Sequence, residues 1–333
     1  VERGVAVEVR PLERDGKKMK ITVNEVQAGV RLDKLLLEVM PTLGRAGAKR
    51  LFEAGKVRLH EGGGERGRRV SKGDVARAGD VVSVELDPAS LSGGALPDAE
   101  APLVVVLETD QVVVLDKPAG QPTAPLEPGE RGTLANALVS RYPECAGIGF
   151  STREPGLCHR LDTETSGLVL AARTREAFEV LTGAIKEERL DKRYLLVCAA
   201  KDLPETGTIE IPLAPHPKDR RRVYPCVHPR DVERYSPRPA HTTYRKVSER
   251  GEWALVEARA GKASRHQIRA HFAAIGHPLA GDTLYGGASV PGLERHALHA
   301  SRITWGGDAK VPAFTASSAL PGDIGAIVGE EGG

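Results

Sequence analysis

The chain has 333 residues, 40% of them hydrophobic and 28% charged, with 47 Lys and Arg against 45 Asp and Glu. That length admits one large domain plus a small one, and the near balance of charge excludes a uniformly basic, polyanion-coated chain. Basic residues nevertheless exceed acidic ones from Val1 to Leu86 and again from His216 to Lys246, a distribution suited to a polyanion gripped at chosen places. No run approaches the roughly 18 apolar residues of a membrane helix, and the charged start VERGVAVEVR lacks an apolar signal core. The cysteines at 145, 158, 198 and 226 match no zinc-ligand or CxxC spacing and fit a reducing compartment, so a cytoplasmic protein is expected.

In chain order, residues 1–28 read as a charged lead-in, and a compact segment follows at 29–87. Leu32, Leu35, Leu36 and Met40 share one helical face, stopped near Pro41. Ala46, Leu51 and Phe52 predict a second short helix closed by Gly55. Short strands are expected at 57–59 and 81–86, the first followed by a Gly-rich loop at 61–67. Residues 88–101 have the Pro, Gly, Ser and Ala content of a linker. The larger domain, 102–333, opens with apolar runs at 103–107 and 112–115, most simply a hairpin. Further strands are predicted at 168–172, 194–199, 208–211, 254–258 and 298–304, and helices at 134–141, 175–188 and 265–275. Helices do not follow every strand, which argues for a mixed, largely antiparallel α+β domain rather than a doubly wound parallel sheet.

Two short stretches concentrate the chemistry. His159-Arg160-Leu161-Asp162-Thr163-Glu164-Thr165-Ser166-Gly167 crowds polar groups just before an apolar strand, where reactive groups sit on rigid scaffolds. Taken alone, Asp162 and Thr165 read better as turn caps. The second stretch runs from Ser264 to Phe272. On a helix, Ile268, Phe272 and Ile275 face the core while Arg265 and Arg269 share another face one turn apart. Gly276 and Pro278 end it, and Gly281-Asp282-Thr283-Leu284-Tyr285-Gly286-Gly287 follows as a turn-rich loop. Lys192-Arg193-Tyr194 opens a strand between these stretches. Lys218-Asp219-Arg220-Arg221-Arg222 is a basic run that reads as a phosphate contact or as a solvated loop. His266, His271 and His277 do not share one helical face, so no metal is expected, and Cys158 reads as a small buried hydrophobe.

These motifs together resemble the RluA-like family of pseudouridine synthases, which modify ribosomal and transfer RNA. HRLDTETSG resembles the family's catalytic-aspartate motif, KRYLLV its tyrosine segment, and HQIRAHFAAIGHPLAGDTLYGG its arginine motif with the Gly-Asp-x-x-Tyr-Gly continuation. Leu115-Asp116-Lys117-Pro118-Ala119-Gly120, Leu298-His299-Ala300 and Phe314-Thr315-Ala316 match in the same order, so the likeness runs from about residue 103 onward. Residues 29–87 resemble a ribosomal-protein-S-four-like RNA-binding domain through RLDKLL, AKRLFEAGKVRL and AGDVVSVEL. The chain departs from the family where Gly-Arg-Thr is replaced by Ala263-Ser264-Arg265, where an apolar pair and His after Lys-Pro-Ala-Gly become Gln121-Pro122-Thr123-Ala124, and where a Ser before Arg45 is Gly44.

The resemblance implies an isomerase that converts uridine to pseudouridine in structured RNA, ribosomal rather than transfer RNA given the extra RNA-binding domain. It implies catalytic roles for Asp162, Tyr194 and Arg269. An isolated buried carboxyl protonates, whereas an Arg partner favours its charged form. Arg160 is expected to fill the space left by the everted base. Further RNA contacts are expected from His159, Lys117, Arg265 and His266, from Arg220, Arg221 and Arg222, and from Arg45, Lys49 and Arg50 in the small domain. No redox centre, nucleotide or other cofactor is needed, because nothing is oxidised and nothing leaves, and a monomer is expected. Two rival readings are a Mg²⁺-dependent phosphoryl transferase, which needs carboxylates at matched positions that the sequence lacks, and an RNA-binding ribosome-assembly factor with little catalysis.

Overall fold

The computed structural model describes residues 18–85 and 94–329. Two compact units divide them, residues 18–85, 94–96 and 125–131 in the first, and 97–124 and 132–329 in the second. Among the described residues no helix is long and apolar enough to cross a membrane.

The first unit comprises β1 (Lys18–Thr22), α1 (Leu32–Val39), α2 (Gly44–Glu53), β2 (Val57–His60), β3 (Arg68–Arg69) and β4 (Val81–Glu85). Its antiparallel sheet has the order β1-β4-β2-β3. Leu32, Leu35 and Leu36 of α1 pack with Val57, Leu59, Val82 and Val84 of the sheet, which is what the i, i+3, i+4 spacing demands. Strand β1 falls inside the span read as a lead-in; the alternation in KMKIT leaves Ile21 buried and Met19 half-covered while Lys18, Lys20 and Thr22 stay in solvent. Arg45 is exposed, Lys49 is exposed and pairs with Glu53 at 3.5 Å, and the Arg50 side chain lies outside the described residues.

The second unit is built on one large sheet. Its elements are β5 (Val104–Glu108), β6 (Val112–Lys117), α3 (Leu134–Arg141), β7 (Ser166–Ala172), α4 (Arg175–Lys186), β8 (Asp191–Ala199), β9 (Thr206–Ile209), β10 (Leu213–Pro215), β11 (Val223–Pro225), α5 (Pro229–Tyr235), β12 (Thr242–Arg250), β13 (Trp253–Arg259), α6 (Gln267–Ala274), β14 (Leu298–Trp305), β15 (Phe314–Ser317) and α7 (Gly322–Val328). The strand order is β5-β6-β7-β14-β8-β13-β12-β9, with β15 on β14. Every pairing is antiparallel except β7 with β14, so the domain is the mixed, largely antiparallel α+β fold expected. The small β10-β11 hairpin stands apart from it.

Strands β6 and β7 are buried on both faces, so they read as continuous apolar runs instead of alternating ones. Phe178 and Leu181 of α4 cover Val112, Val114, Leu168 and Leu170, each large side chain contributing about 1.5–3 kcal/mol by leaving water. Helix α3 begins at a capping box in which Thr133 and Asn136 each satisfy the other's backbone N–H. Residues 97–101 are docked and not a free tether: Asp98 accepts the Gly132 N–H at 3.0 Å, and Ala101 is buried. Strand β12 escaped the apolar pattern because its outer half is charged and exposed. Helix α6 starts at Gln267, two residues later than expected. His266 adopts a left-handed conformation (φ 54°) that interrupts the helical path, so Arg265 does not share a helical face with Arg269.

Gly167 sits at φ +108° where β7 runs beside β14, and a Cβ there would strike the Ala300 carbonyl and N–H. We predict that Gly167→Ala lowers unfolding free energy by roughly 2 kcal/mol or more, measured by urea denaturation. An unchanged midpoint would count against this close approach.

Candidate active site

Asp162 lies in the loop that leads into β7, and several distant segments brace that loop. Thr123 Oγ1 donates to the Leu161 carbonyl at 2.7 Å and receives the Leu161 N–H at 3.2 Å. The Thr163 carbonyl accepts from Gly120 N at 2.9 Å and from Lys117 Nζ at 2.9 Å. Thr165 N–H closes a turn on the Asp162 carbonyl at 3.1 Å, and its hydroxyl meets His296 Nε2 at 2.7 Å. The backbone around the carboxyl is therefore tied in place before any ligand arrives, as preorganised sites require.

Arg269 stands one turn into α6. Its Nη1 donates to Asp162 Oδ2 at 3.0 Å, while Nε and Nη2 form a fork on Asp282 at 2.7 and 2.9 Å. Arg269 is 6% exposed and Asp282 2%. Burial works against the charged guanidinium, but the hydrogen bond and charge of Asp282, then those of Asp162, raise its pKa above the ordinary value. The Asp162 carboxyl keeps more contact with solvent than its partners. It opens into a cavity of about 230 Å³ lined also by Arg160, Tyr194, His266 and Leu298. Asp162, Tyr194 and Arg269, singled out from three separate motifs, thus meet at one pocket.

Tyr194 points from β8 into that pocket and is 4% exposed; burial, then the charge of Asp162, pushes its phenol well up. Arg160 is exposed at the mouth, 3.5 Å from Glu154. His266 Nε2 stands 3.6 Å from Asp162 Oδ2, and burial holds its imidazole down at about 4 in spite of that carboxyl. His271 and His277 turn elsewhere, to Thr242 with Ile211 and to Ala199.

Two expected RNA contacts are corrected. Lys117 is fully buried, its Nζ donating to the carbonyls of Pro118, Gln121 and Thr163 at 2.9, 2.8 and 2.9 Å. Burial lowers it to about 8 against the pull of Glu164 and Asp162; a lysine so enclosed holds the loop instead of meeting phosphate. His159 Nε2 accepts the Leu170 N–H at 3.1 Å, and burial, then Lys192, holds the ring well below its ordinary value, so it is a neutral brace on β7. Arg265 is exposed and lines the same cavity, and its Nη1 and Nη2 donate to the carbonyls of Arg220 and Arg221 at 3.0 and 2.8 Å, joining the cavity to the basic loop. Arg220 and Arg221 are exposed, the latter paired with Asp219. Arg222 stacks at 5.4 Å over Tyr285.

Thr123, Asp282, Tyr285 and His296 were not assigned roles from sequence. Asp282 and Tyr285 stood in a quoted motif, but only the fold brings them against Arg269.

A profile of the RNA pseudouridylate synthase family matches residues 111–274. The chain is 37% identical over 293 residues to an uncharacterized RNA pseudouridine synthase of Chloroflexus aurantiacus, covering 85% of this chain and 84% of that one. It is 31% identical to the ribosomal large subunit pseudouridine synthase D of Xanthomonas campestris pv. campestris, over 93% of this chain and 91% of the relative. Among solved structures, human RNA pseudouridylate synthase domain containing 1 shares the fold with a TM-score of 0.52 at 24% identity, covering 69% of this chain and 89% of that one. With its ordered motifs, its mixed sheet and a relative matched along most of its length, the chain belongs to the RNA pseudouridylate synthase family, enzymes that isomerise uridine in RNA.

Proposed function

We propose that this enzyme converts specific uridines of ribosomal RNA to pseudouridine in the cytoplasm, acting as a monomer with Asp162 as its catalytic carboxylate. The observation that carries the reading is the Asp162 carboxyl, bonded to Arg269 at 3.0 Å and open to a cavity that also holds Tyr194. Ribosomal RNA is favoured over transfer RNA by the name of the relative aligned over 93% of the chain and by the separate basic unit at the N-terminal side. That unit is proposed to bind RNA through Arg45, Lys49 and Arg50.

The reaction breaks the bond between ribose and N1 of uracil, turns the base and rejoins it through carbon 5, while the carbon-5 proton is lost and N1 gains one. The base must first leave its stack, which costs roughly a few kcal/mol and least in a loop or bulge. Arg160, exposed at the mouth, is placed to occupy the gap with a planar cation. Inside, the Asp162 carboxylate faces the reacting carbons as nucleophile or ion stabiliser. Addition at carbon 6, attack at the anomeric carbon and a glycal route all need a charged carboxylate at this spot. Arg269 holds it there, and its own charge is secured by Asp282. Tyr194 lines the same cavity, so its flat ring is placed to lie against the base. Outside the pocket, the loop around Arg220 is set to meet phosphate, held in shape from behind by Arg265.

Tritium release from carbon-5-labelled uridine is expected with ribosomal RNA and wild-type enzyme, and Asp162→Asn should lower it by about 10³-fold or more without unfolding the chain. Failure of the wild type to release tritium from either ribosomal or transfer RNA would overturn the assignment. Arg269→Lys keeps one positive charge but cannot bridge two carboxylates; a fall of about 10²-fold in kcat, or ~2.7 kcal/mol, is expected at similar RNA affinity. Arg220→Ala should weaken RNA binding alike for all sequences and reduce the slope of log K against log salt by about 0.7–1, read from titrations at several salt concentrations. An unchanged slope would remove that loop from the RNA interface.

A further inference from the structure

Tyr285 lies at the centre of contacts that the reaction scheme above leaves unused. Its ring stands 5.1 Å from the Arg269 guanidinium and 5.4 Å from that of Arg222, and meets the His266 ring edge-on at 5.8 Å. Its hydroxyl receives the Val223 N–H at 2.9 Å and lies 3.0 Å from His266 Nδ1. The phenol has one proton to give. Because its oxygen already accepts from Val223, the complementary arrangement sends that proton to His266 Nδ1. A ring nitrogen that accepts cannot also carry a proton in the neutral imidazole, so in that arrangement the proton of His266 sits on Nε2.

We propose that Tyr285 is a positioning residue that locks this tautomer, so that His266 presents an Nε2–H donor to the pyrimidine in the pocket and acts as a binding group for the base, not as its proton acceptor. His266 lines the cavity, and its Nε2 stands 3.6 Å from Asp162 Oδ2, too far for a good hydrogen bond to the carboxyl. That leaves the N–H available to a third atom lodged beside both groups, and a uracil carbonyl oxygen is the acceptor of the right chemistry. The neutrality this requires agrees with the burial of the ring among Arg269 and Arg265. The same hydroxyl ties β11, which follows directly on the basic run 218–222, to the pocket. The loop proposed to meet phosphate is thereby joined by one phenol to the group that meets the base.

The inference rests on the uridine-isomerising reading, and its test separates the two. In the full-length chain with ¹⁵N-labelled histidine, the His266 signal, identified among the ten histidines by its loss in His266→Asn, is expected to report protonated Nε2. Tyr285→Phe, which removes only the hydroxyl, should turn it into a mixture of tautomers. Protonated Nδ1 in the wild type overturns the proposal, whatever the activity. In turnover, His266→Gln retains an amide N–H near the Nε2 position, whereas His266→Asn does not reach it. The left-handed backbone at φ 54° favours Asn, so strain alone ranks Asn above Gln. The donor role predicts the reverse, with Gln within about tenfold of wild-type kcat and Asn at least tenfold below Gln at equal thermal stability. Asn equal to or above Gln, or both without turnover, overturns it. Absence of wild-type tritium release would strike the isomerase reading and leave the tautomer measurement standing.

Discussion

One guanidinium shared between two carboxyl groups organises this enzyme's site. Arg269 spends Nε and Nη2 on Asp282 and keeps Nη1 for Asp162. The planar fork makes the division geometric: once Asp282 fixes two of the nitrogens, the third points one way only. Asp282 is almost completely buried, so removing it would leave two nitrogens of a buried cation without their partner, a loss of the order of 3–5 kcal/mol. Asp162 is the more open partner, and openness is what chemistry on an everted nucleotide requires.

The rest of the site keeps that pairing in register. Lys117 at the end of β6 and Gly120 and Thr123 just after it reach the Asp162 loop, and His296 reaches it from just before β14. Each neutral bond is worth about 1 kcal/mol net and the ammonium contacts somewhat more. Their combined effect on geometry exceeds their effect on stability, because a carboxylate displaced by about 1 Å loses much of its reactivity.

How much of this was legible in the sequence depended on where the information lay. Asp162, Tyr194 and Arg269 stood out because three ordered motifs each supplied one of them, and the fold delivers all three to one pocket. Helix α3 was legible to the residue, since its apolar run starts just after the Thr133 cap and stops before Pro143. Lys117 was misread because a lysine in a Pro- and Gly-containing turn looks solvent-facing; its three carbonyl partners include one 46 positions away. Arg265 was misread because periodicity assumes an unbroken helix, and the left-handed turn at His266 leaves no mark in hydrophobic spacing. Strand β1 was overlooked because only Ile21 of its five residues is buried. Tyr285 was visible as a motif letter, but its partners come from β11 and α6, which no local pattern connects.

Strand β14 sits between β7 and β8 in space although it follows β13 in the chain. During synthesis on a ribosome, β7 and β8 leave the exit tunnel with the central slot of their sheet still empty. The loop of Asp162, Arg269 and Tyr194 all emerge before the strand that closes this slot. Nascent chains halted ahead of residue 298 would carry the chief reactive groups yet lack the seam that joins the two halves. The topology thus withholds a working enzyme until the strand at 298–305 has been made.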